Sequence, residues 1–299
     1  MRFSLIITSL GKAGQLQSCI DSIERANRPG EGIETEMLVI FQGIKEGDCS
    51  ISLRDPASCS LHYTDGRGLS SARNYAIERS RGDYLVFLDD DAEIKEDFPG
   101  VLARHCSELD ADAFCGRIID KSTGSVYGQC FTDNNRKSLR MADFRYFMGS
   151  SHILKRDAIG KTGLYDERFG AGARYRGAEE TDLFFRLKQK GLKVIYAPEL
   201  VYYHPWIYSG SKVFDYSYAV AAALTKQIFS GGRYIGISLA AMAGTLCKAF
   251  VRAMQDLFFS KNGTFKNFRF HYNLVLLGAL KGIFDYSKDN LTAKFKARG

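Results

Sequence analysis

Short hydrophobic runs alternate with amphipathic stretches through the first two hundred residues. The apolar runs predict strands at Phe3–Thr8, Met37–Phe41, Ser60–Tyr63, Tyr84–Leu88 and Ala113–Ile119. Between them, apolar positions recur at helical spacing in residues 13–26, Gly68–Ser80 and Phe98–Cys106. This β-α-β-α-β order predicts an α/β fold with a mostly parallel sheet and helices on both of its faces.

The pattern is less regular after the fifth predicted strand. Residues 120–145 are polar and lack a clear period, so we expect a loop excursion there. A strand is predicted at Phe147–Lys155, and a helix from about Ala178 to Lys190 follows a glycine-rich loop. The remaining short elements are a helix at Arg156–Ile159 and extended segments at Val194–Ala197 and Val201–His204.

The chain changes character after Pro205. Helical patterns cover residues 212–229, 234–259 and 272–286, so we predict an α/β domain over 1–204 and a helical region over 205–299. The most apolar stretch, Tyr234–Cys247, has 14 residues, whereas a membrane span needs about 20. We therefore expect amphipathic or core helices in this region.

Charge is also divided at this point. Residues 205–299 carry 13 Lys and Arg, four Asp and no Glu, a net charge of +9, against −2 for residues 1–204. A basic amphipathic region favours an anionic partner, either lipid head groups or a phosphorylated acceptor. The alternatives are an incidental lysine excess or a homodimer contact, and we expect no nucleic-acid partner.

Cysteine usage and the N-terminus bear on localisation. Seven cysteines show no CxxC spacing, which is typical of reduced thiols. The apolar run near Met1 is too short for a signal peptide. Both features favour a cytoplasmic protein.

Three carboxylates, Asp89, Asp90 and Asp91, directly follow the predicted strand Tyr84–Leu88. The C-terminal ends of parallel strands are where open α/β sheets bind ligands. Three adjacent anions repel one another unless a cation or solvent neutralises them. The pattern therefore indicates a divalent metal beside a phosphate, with a solvated acidic turn as the alternative.

A second acidic group, Glu179, Glu180 and Asp182, begins the predicted helix at Ala178. Acids in a first turn also complement the helix dipole, which is the structural alternative. Helical spacing places Glu180 on one face with Leu183, Phe184 and Leu187. The same spacing pairs Asp182 with Arg186 on a polar face. Glu180 is then partly desolvated and suited to act as a general base, and Glu179, between the two faces, is the second candidate.

Two further residues have chemistry that fits an anionic, metal-bound ligand. His204 ends a predicted strand, where a neutral imidazole is a good ligand for a metal such as Mn²⁺, although a lone histidine is usually structural. Arg73 lies in a helix that begins with Gly68 and small residues, an arrangement that suits a diphosphate. Many surface helices begin in the same way.

These features occur together in one order: Ser4–Thr8, then Gly68-Leu69-Ser70-Ser71-Ala72-Arg73-Asn74, the Asp89–Asp91 triplet, Glu179-Glu180-Thr181-Asp182 and His204. The ordered set resembles glycosyltransferase family 2, the inverting enzymes of the GT-A fold, including those of bacterial surface polysaccharides. The resemblance covers about residues 3–204. It implies transfer of a sugar from a nucleotide diphosphate sugar to an acceptor hydroxyl, with inversion and with a divalent metal, Mg²⁺ or Mn²⁺.

The resemblance also implies roles for individual residues. Asp91 is the direct metal ligand, Asp89 contacts both nucleotide and metal, and His204 completes the metal shell. The base is the second acid of the pair, Glu180. The implied nucleotide-sugar contacts are Thr8, Ser9, Arg73 and Asp90.

The chain departs from the family pattern at two positions. Gln42 stands where an aspartate commonly reads the nucleotide base, and Asp65 in the next loop is a possible substitute. Glu180 stands where the catalytic base is usually an aspartate. The QxxRW pattern of processive synthases is absent, so we expect one sugar to be added per encounter.

The leading hypothesis is a glycosyltransferase of cell-surface polysaccharide synthesis that acts on a glycan or lipid-linked acceptor at the inner face of the membrane. The two departures keep a catalytically silent scaffold of the same fold as an alternative. A sugar nucleotidyltransferase is less favoured, because it needs an arginine in the loop after the first strand and Thr8–Lys12 has none.

Overall fold

The computed structural model describes residues 1–26, 32–126, 132, 134–205, 210–231, 234–259 and 266–296, with the backbone alone for 252–259, 266–273 and 294–296. The chain divides into two compact units. The sheet unit comprises Met1–Glu167 and Leu183–Trp206, and the helical unit comprises Arg168–Asp182 and Ile207–Gly299. The domain boundary expected from the sequence, after residue 204, differs from this division, because residues 168–182 belong to the helical unit.

The sheet unit is built on nine described strands: β1 Arg2–Ser9, β2 Glu34–Gln42, β3 Cys59–Thr64, β4 Tyr84–Asp89, β5 Glu93–Ile94, β6 Ala113–Ile119, β7 Lys137–Ser138, β8 His152–Lys155 and β9 Val194–Tyr203. Their order is β3-β2-β1-β4-β8-β6-β9-β5, and β7 pairs with β9. The pairs β1–β2, β1–β4, β2–β3 and β6–β9 are parallel, and β8 runs antiparallel between β4 and β6. The predicted mostly parallel α/β sheet is confirmed.

Five helices accompany the described strands: α1 Ala13–Ala26, α2 Leu69–Arg79, α3 Phe98–Glu108, α4 Arg156–Thr162 and α5 Glu179–Gln189. The central strands are apolar on both faces, and β1 from Phe3 and β4 as far as Leu88 are buried. The parallel register of β1 and β4 sets Thr8 opposite Asp89. The strand order therefore places the candidate acids Asp89–Asp91 beside the end of β1.

Three elements differ from the sequence expectation. The strand predicted over Phe147–Lys155 is confined to β8, and residues 120–145 contain β7 and a 3₁₀ helix at Met141–Tyr146. The two extended segments before His204 form a single strand, β9. Its pairing with β6 shifts register between Cys115 and Arg117, and this irregularity accommodates Pro198, which has no N–H for a regular ladder.

The helical unit contains α6 Gly210–Phe229, α7 Ile235–Phe259 and α8 Lys266–Lys296, of which α8 is twice as long as its pattern predicted. The α6 and α8 backbones approach closely. A Cβ on Gly282 would lie 2.2 Å from the Tyr218 carbonyl oxygen, and one on Gly278 would lie 2.6 Å from that of Phe214. No helix among the described residues combines the length and apolarity needed to cross a bilayer.

The cysteines of the described residues form no disulfide bond with one another: Cys19, Cys49, Cys59, Cys106, Cys115 and Cys247. Cys130 lies outside the described residues.

Candidate active site

A group of metal-ligand type forms where β4 and β9 end. One ligand atom each from Asp89, Asp91 and His204 lie within 4.8 Å of one another. His204 Nε2 is 3.1 Å from Asp91 Oδ1 and 3.7 Å from Asp89 Oδ2. Two carboxylates and an imidazole suit Mn²⁺, and the carboxylates also suit Mg²⁺. The donor set therefore fits the divalent metal implied by the sequence.

The charge of His204 depends on its two acidic neighbours. Burial lowers the pKa of the imidazole, but the hydrogen bond with Asp91 and the charges of both carboxylates outweigh it, so the pKa is raised. The carboxylates thus attract a positive charge to this position. A divalent cation held by these residues would take the place of that proton, because metal binding requires neutral imidazole.

Arg73 is buried next to the group of Asp89, Asp91 and His204, and it contacts Asp89. Its guanidinium is 1% exposed and donates to Asp89 Oδ1 at 3.2 Å and to the Gly149 carbonyl at 3.0 Å. It also lies 5.7 Å from the ring centres of Phe87 and Tyr165. These contacts hold one oxygen of Asp89 in a defined direction.

Asp90 is oriented by a different partner. Ser9 Oγ donates to Asp90 Oδ2 at 2.6 Å, and the Gly11 amide donates to Ser9 Oγ at 3.0 Å. Burial raises the pKa of Asp90, an effect opposed by the Ser9 bond and reinforced by the charges of Asp91 and Asp89. The triplet is therefore divided: two acids face His204, and one ties β4 to the end of β1.

The remaining predicted nucleotide contacts lie at the ends of neighbouring strands. Thr8 is buried at the end of β1, and Asp65 is exposed in the loop after β3. Gln42 Oε1 accepts from the Gly68 amide at 2.9 Å, which joins the end of β2 to the start of α2. Reading of the nucleotide base by Gln42 or Asp65 stays a prediction.

A cavity of about 430 Å³ adjoins Asp91 and His204. Gln15 and Ser18 of α1 and Lys121 of the loop after β6 also line it. Nothing in the local sequence pattern singles out these residues. These residues reach the cavity because α1 and the loop after β6 follow strands of the same sheet. Their place in the site could therefore be inferred from the sequence only through the order of the strands.

The second acidic group lies in the helical unit, at the start of α5. Glu179 is buried and Glu180 is half-buried. The expected polar face for Asp182 is wrong: Asp182 is buried and forms an ion pair with Lys226 at 2.6 Å. Arg186, four residues later, is half-buried and donates to the carbonyls of Thr162 and Gly163. Most of α5 is buried, so Asp182 does not lie on a solvated face.

Comparison with known proteins identifies the family. The family model described as Glycosyl transferase family 2 matches residues 4–159. Glycosyltransferase GlyG of Streptococcus pneumoniae is 28% identical over 141 residues, which are 44% of this chain and 47% of that protein. The chain spans about half the length of the curated relatives it matches.

Solved structures share the fold at low identity. The mannosyltransferase PcManGT of Pyrobaculum calidifontis, in complex with GDP-Man and Mn²⁺, aligns with a TM-score of 0.63 and 14% identity, over 95% of this chain and 87% of that one. S. aureus TarS 1-349 in complex with UDP-GlcNAc aligns with a TM-score of 0.56 and 14% identity, over 97% and 92%. The fold is therefore of the GT-A type, and the chain belongs to glycosyl transferase family 2.

Proposed function

We propose that this protein transfers a glycosyl group from a nucleotide diphosphate sugar to an acceptor hydroxyl, with inversion at the anomeric carbon. The observation that carries the proposal is the group of Asp89, Asp91 and His204 at the end of β4, in a chain whose family model covers this strand. Support also comes from structural neighbours that bind GDP-Man with Mn²⁺ or UDP-GlcNAc.

The sheet unit supplies the donor site in this proposal. Asp91 and His204, with Asp89, would hold the divalent cation, which would supply positive charge to offset the charge that develops on the leaving diphosphate. Arg73 keeps Asp89 oriented toward the nucleotide through its 3.2 Å contact. The side chains that contact the nucleotide are Thr8, Ser9, Gln42, Asp65 and Asp90.

Glu180 is the proposed general base. Inversion in one displacement needs a group that removes the proton of the attacking hydroxyl, and it needs no enzyme nucleophile. Glu180 is half-buried, whereas Glu179 is 3% exposed, so Glu180 is the more accessible of the two acids. This difference favours Glu180 and leaves Glu179 as the second candidate.

The acceptor is proposed to be a glycan or lipid-linked intermediate of cell-surface polysaccharide synthesis, with the protein peripheral on the cytoplasmic face of the membrane. The net charge of +9 in residues 205–299 supports an anionic lipid partner. Lipid, rather than a second copy, is favoured because two basic surfaces repel each other.

One face of α8 is the proposed lipid contact. Leu277, Leu280, Phe284 and Leu291 are exposed, Phe284 by 66%, and they follow one another at helical spacing on a single stripe. Gly278 and Gly282, which pack against α6, lie on the opposite face. An exposed apolar stripe beside basic residues is typical of helices that lie in a membrane interface.

A donor screen tests the catalytic proposal. The protein is mixed with a panel of nucleotide sugars, with and without Mn²⁺ or Mg²⁺, and melting temperature and sugar transfer are recorded. We expect one donor to stabilise the protein only when metal is present, and NMR to show a product of inverted anomeric configuration. A donor bound and turned over equally well by Asp91→Ala would contradict the site, and a retained configuration would contradict the mechanism.

Vesicle sedimentation tests the lipid contact. The wild type should pellet with vesicles rich in phosphatidylglycerol and stay in solution with phosphatidylcholine. Leu277→Ser/Phe284→Ser should abolish pelleting, whereas Leu61→Ser/Leu164→Ser, which removes two exposed leucines of the sheet unit, should leave it unchanged. A wild type that ignores vesicles but forms a dimer that Leu277→Ser/Phe284→Ser disrupts would assign the stripe to a second copy.

A further inference from the structure

The acidic segment, residues 168–182, folds with the C-terminal helices and not with the strands that precede it. Phe169, Tyr175 and Ala178 are buried in one cluster with residues of α6 and α8: Tyr218, Ala219, Ala222, Ala223 and Tyr286. Phe169 and Tyr175 are fully buried. The segment that carries Glu179 and Glu180 is therefore anchored by hydrophobic contacts within the helical unit.

Polar contacts fasten the same segment at several points. Asp289 of α8 accepts from Arg174 at 2.9 and 3.1 Å and from the Tyr175 hydroxyl at 2.7 Å. Asp215 of α6 accepts from Arg176 at 2.8 Å. Residues 205–299 contain four Asp and no Glu. Two of these scarce acids therefore bind arginines of the acidic segment.

The third polar contact is made by Asp182, in the first turn of α5. Lys226 of α6 forms the 2.6 Å ion pair with Asp182, whose side chain is 5% exposed. The same ammonium lies 5.3 Å from the centre of the Phe169 ring. Asp182 is two residues after Glu180 in α5, so a displacement of this pair displaces the turn that carries Glu180.

The backbone before the acidic pair is strained. Arg176 and Ala178 adopt left-handed conformations, with φ of 62° and 60°. Such conformations are unfavourable for residues with a Cβ and persist where the surrounding structure imposes them. Between them, Gly177 approaches Ala219 of α6, where an added Cβ would lie 3.4 Å from the Ala219 Cβ. The local sequence does not select this path, so the contacts with α6 and α8 must maintain it.

We propose that Lys226 and Asp289 are positioning residues, which hold the acidic segment so that Glu180 is correctly placed for proton removal. Helices α6 and α8 then contribute to catalysis by positioning Glu180, in addition to any contact with lipid. This inference rests on the proposed function, in which Glu180 is the base. Neither residue contacts substrate in the proposal, since each acts through the segment that it fastens.

Separate measurements of turnover and donor binding test the inference. In Lys226→Met and Asp289→Asn we expect kcat to fall at least about tenfold, because small misplacements of a catalytic group cost rate steeply. The Kd of the donor with metal should remain within about twofold, since the donor ligands belong to the sheet unit. Lys226→Arg, which keeps the charge, should recover most of kcat.

Two controls separate positioning from folding. Lys95→Met breaks an exposed ion pair with Asp97 of similar length, 2.7 Å, and should leave kcat and donor Kd unchanged. Asp182→Asn/Lys226→Met removes both charges of the buried pair, and so replaces Lys226→Met if that variant does not fold. It should retain the donor Kd with reduced kcat.

The outcomes distinguish this inference from the proposed function. If Glu180→Gln is inactive while Lys226→Met and Asp289→Asn keep wild-type kcat, the positioning role is wrong and the base assignment stands. If Glu180→Gln is fully active, the base assignment fails and the inference fails with it. A parallel loss of kcat and donor affinity in folded Lys226→Met, without recovery in Lys226→Arg, would also overturn the positioning role.

Discussion

The sheet unit and the helical unit position their candidate catalytic side chains by different means. In the sheet unit, Asp89 lies opposite Thr8 because β1 and β4 are parallel and in register. In the helical unit, the turn carrying Glu180 is fastened by contacts from distant helices, such as the pair of Asp182 with Lys226. The comparison teaches that strand order can assemble a candidate metal site, whereas the placement of a candidate base on a strained segment depends on long-range packing.

The largest expected effect comes from the metal group. Asp91→Asn should lower kcat about 10³-fold, because metal stabilisation of the leaving group is worth several kcal/mol. Steady-state kinetics with and without a chelator measure this loss. The chelator should inactivate the wild type and add little to the loss already present in Asp91→Asn.

The control for the metal prediction is Asp97→Asn, which changes an exposed acid of the same unit. It should keep wild-type kcat and full sensitivity to the chelator. A wild type that keeps its activity in excess chelator would remove the metal from the account of the sheet unit.

Two glycines allow the units to be perturbed separately, with intermediate effects. Gly282→Ala forces a Cβ against the Tyr218 carbonyl, and Gly116→Ala forces one against the Leu200 carbonyl. Overpacking of this kind costs about 1–3 kcal/mol of folding stability. Calorimetry should show the loss of stability in both variants. In steady-state kinetics and donor titration, Gly282→Ala should lower kcat and leave the donor Kd unchanged, whereas Gly116→Ala should impair both kcat and donor binding.

Gly236→Ala is the matched control, because among the described residues no side chain or backbone atom beyond its own helix turn lies within 4 Å of its added Cβ in α7. It should be neutral or stabilising by up to about 1 kcal/mol through helix propensity. Loss of donor affinity in Gly282→Ala comparable to that in Gly116→Ala would erase the distinction between the two units.

The smallest predicted effect is a difference in acid sensitivity. In the sheet unit, His152 is buried, donates from Nδ1 to the Met148 carbonyl and accepts at Nε2 from the Tyr165 hydroxyl. Burial, with the nearby charge of Arg73, lowers its pKa well below 6.5. Stability from neutral His152 is therefore fully present above pH 6.5 and decreases as the pH falls below that value toward the lowered folded pKa.

Asp289 of the helical unit responds at lower pH. The hydrogen bond from Arg174 lowers its pKa from 3.8, so its stabilising contribution is present above that value and is lost as the pH falls through the folded pKa. Hydrogen exchange between pH 7 and 3 should show the sheet unit loosening first. Asp289→Asn should flatten only the more acidic phase, and earlier loosening of the helical unit would contradict the ordering.

The sheet and its candidate metal ligands could be predicted from the sequence, because both depend on local signals. An apolar run that ends in Asp89–Asp91 defines a strand and its ligand edge, and His204 follows a second such run. The single strand β9 was not foreseen, since Pro198 normally interrupts a ladder and the bulge that accommodates it depends on β6.

The environment of the acidic helix was only partly predictable. Helical spacing correctly placed Leu183, Phe184 and Leu187 on a buried face. It placed Asp182 on a polar face, although Asp182 is buried against Lys226, because local spacing cannot detect a partner 44 residues away. The anchoring of Arg174 by Asp289 spans 115 residues and leaves no periodic signal.

Paired measurements of kcat and donor Kd in Glu180→Gln test the central claim most directly, namely that the helical unit supplies the base and the sheet unit holds the donor. The account predicts a fall in kcat of about 10²–10⁴-fold, with an unchanged metal-dependent Kd for the donor. Glu108→Gln, on the exposed end of α3, should change neither quantity. Wild-type kcat in Glu180→Gln would contradict the account.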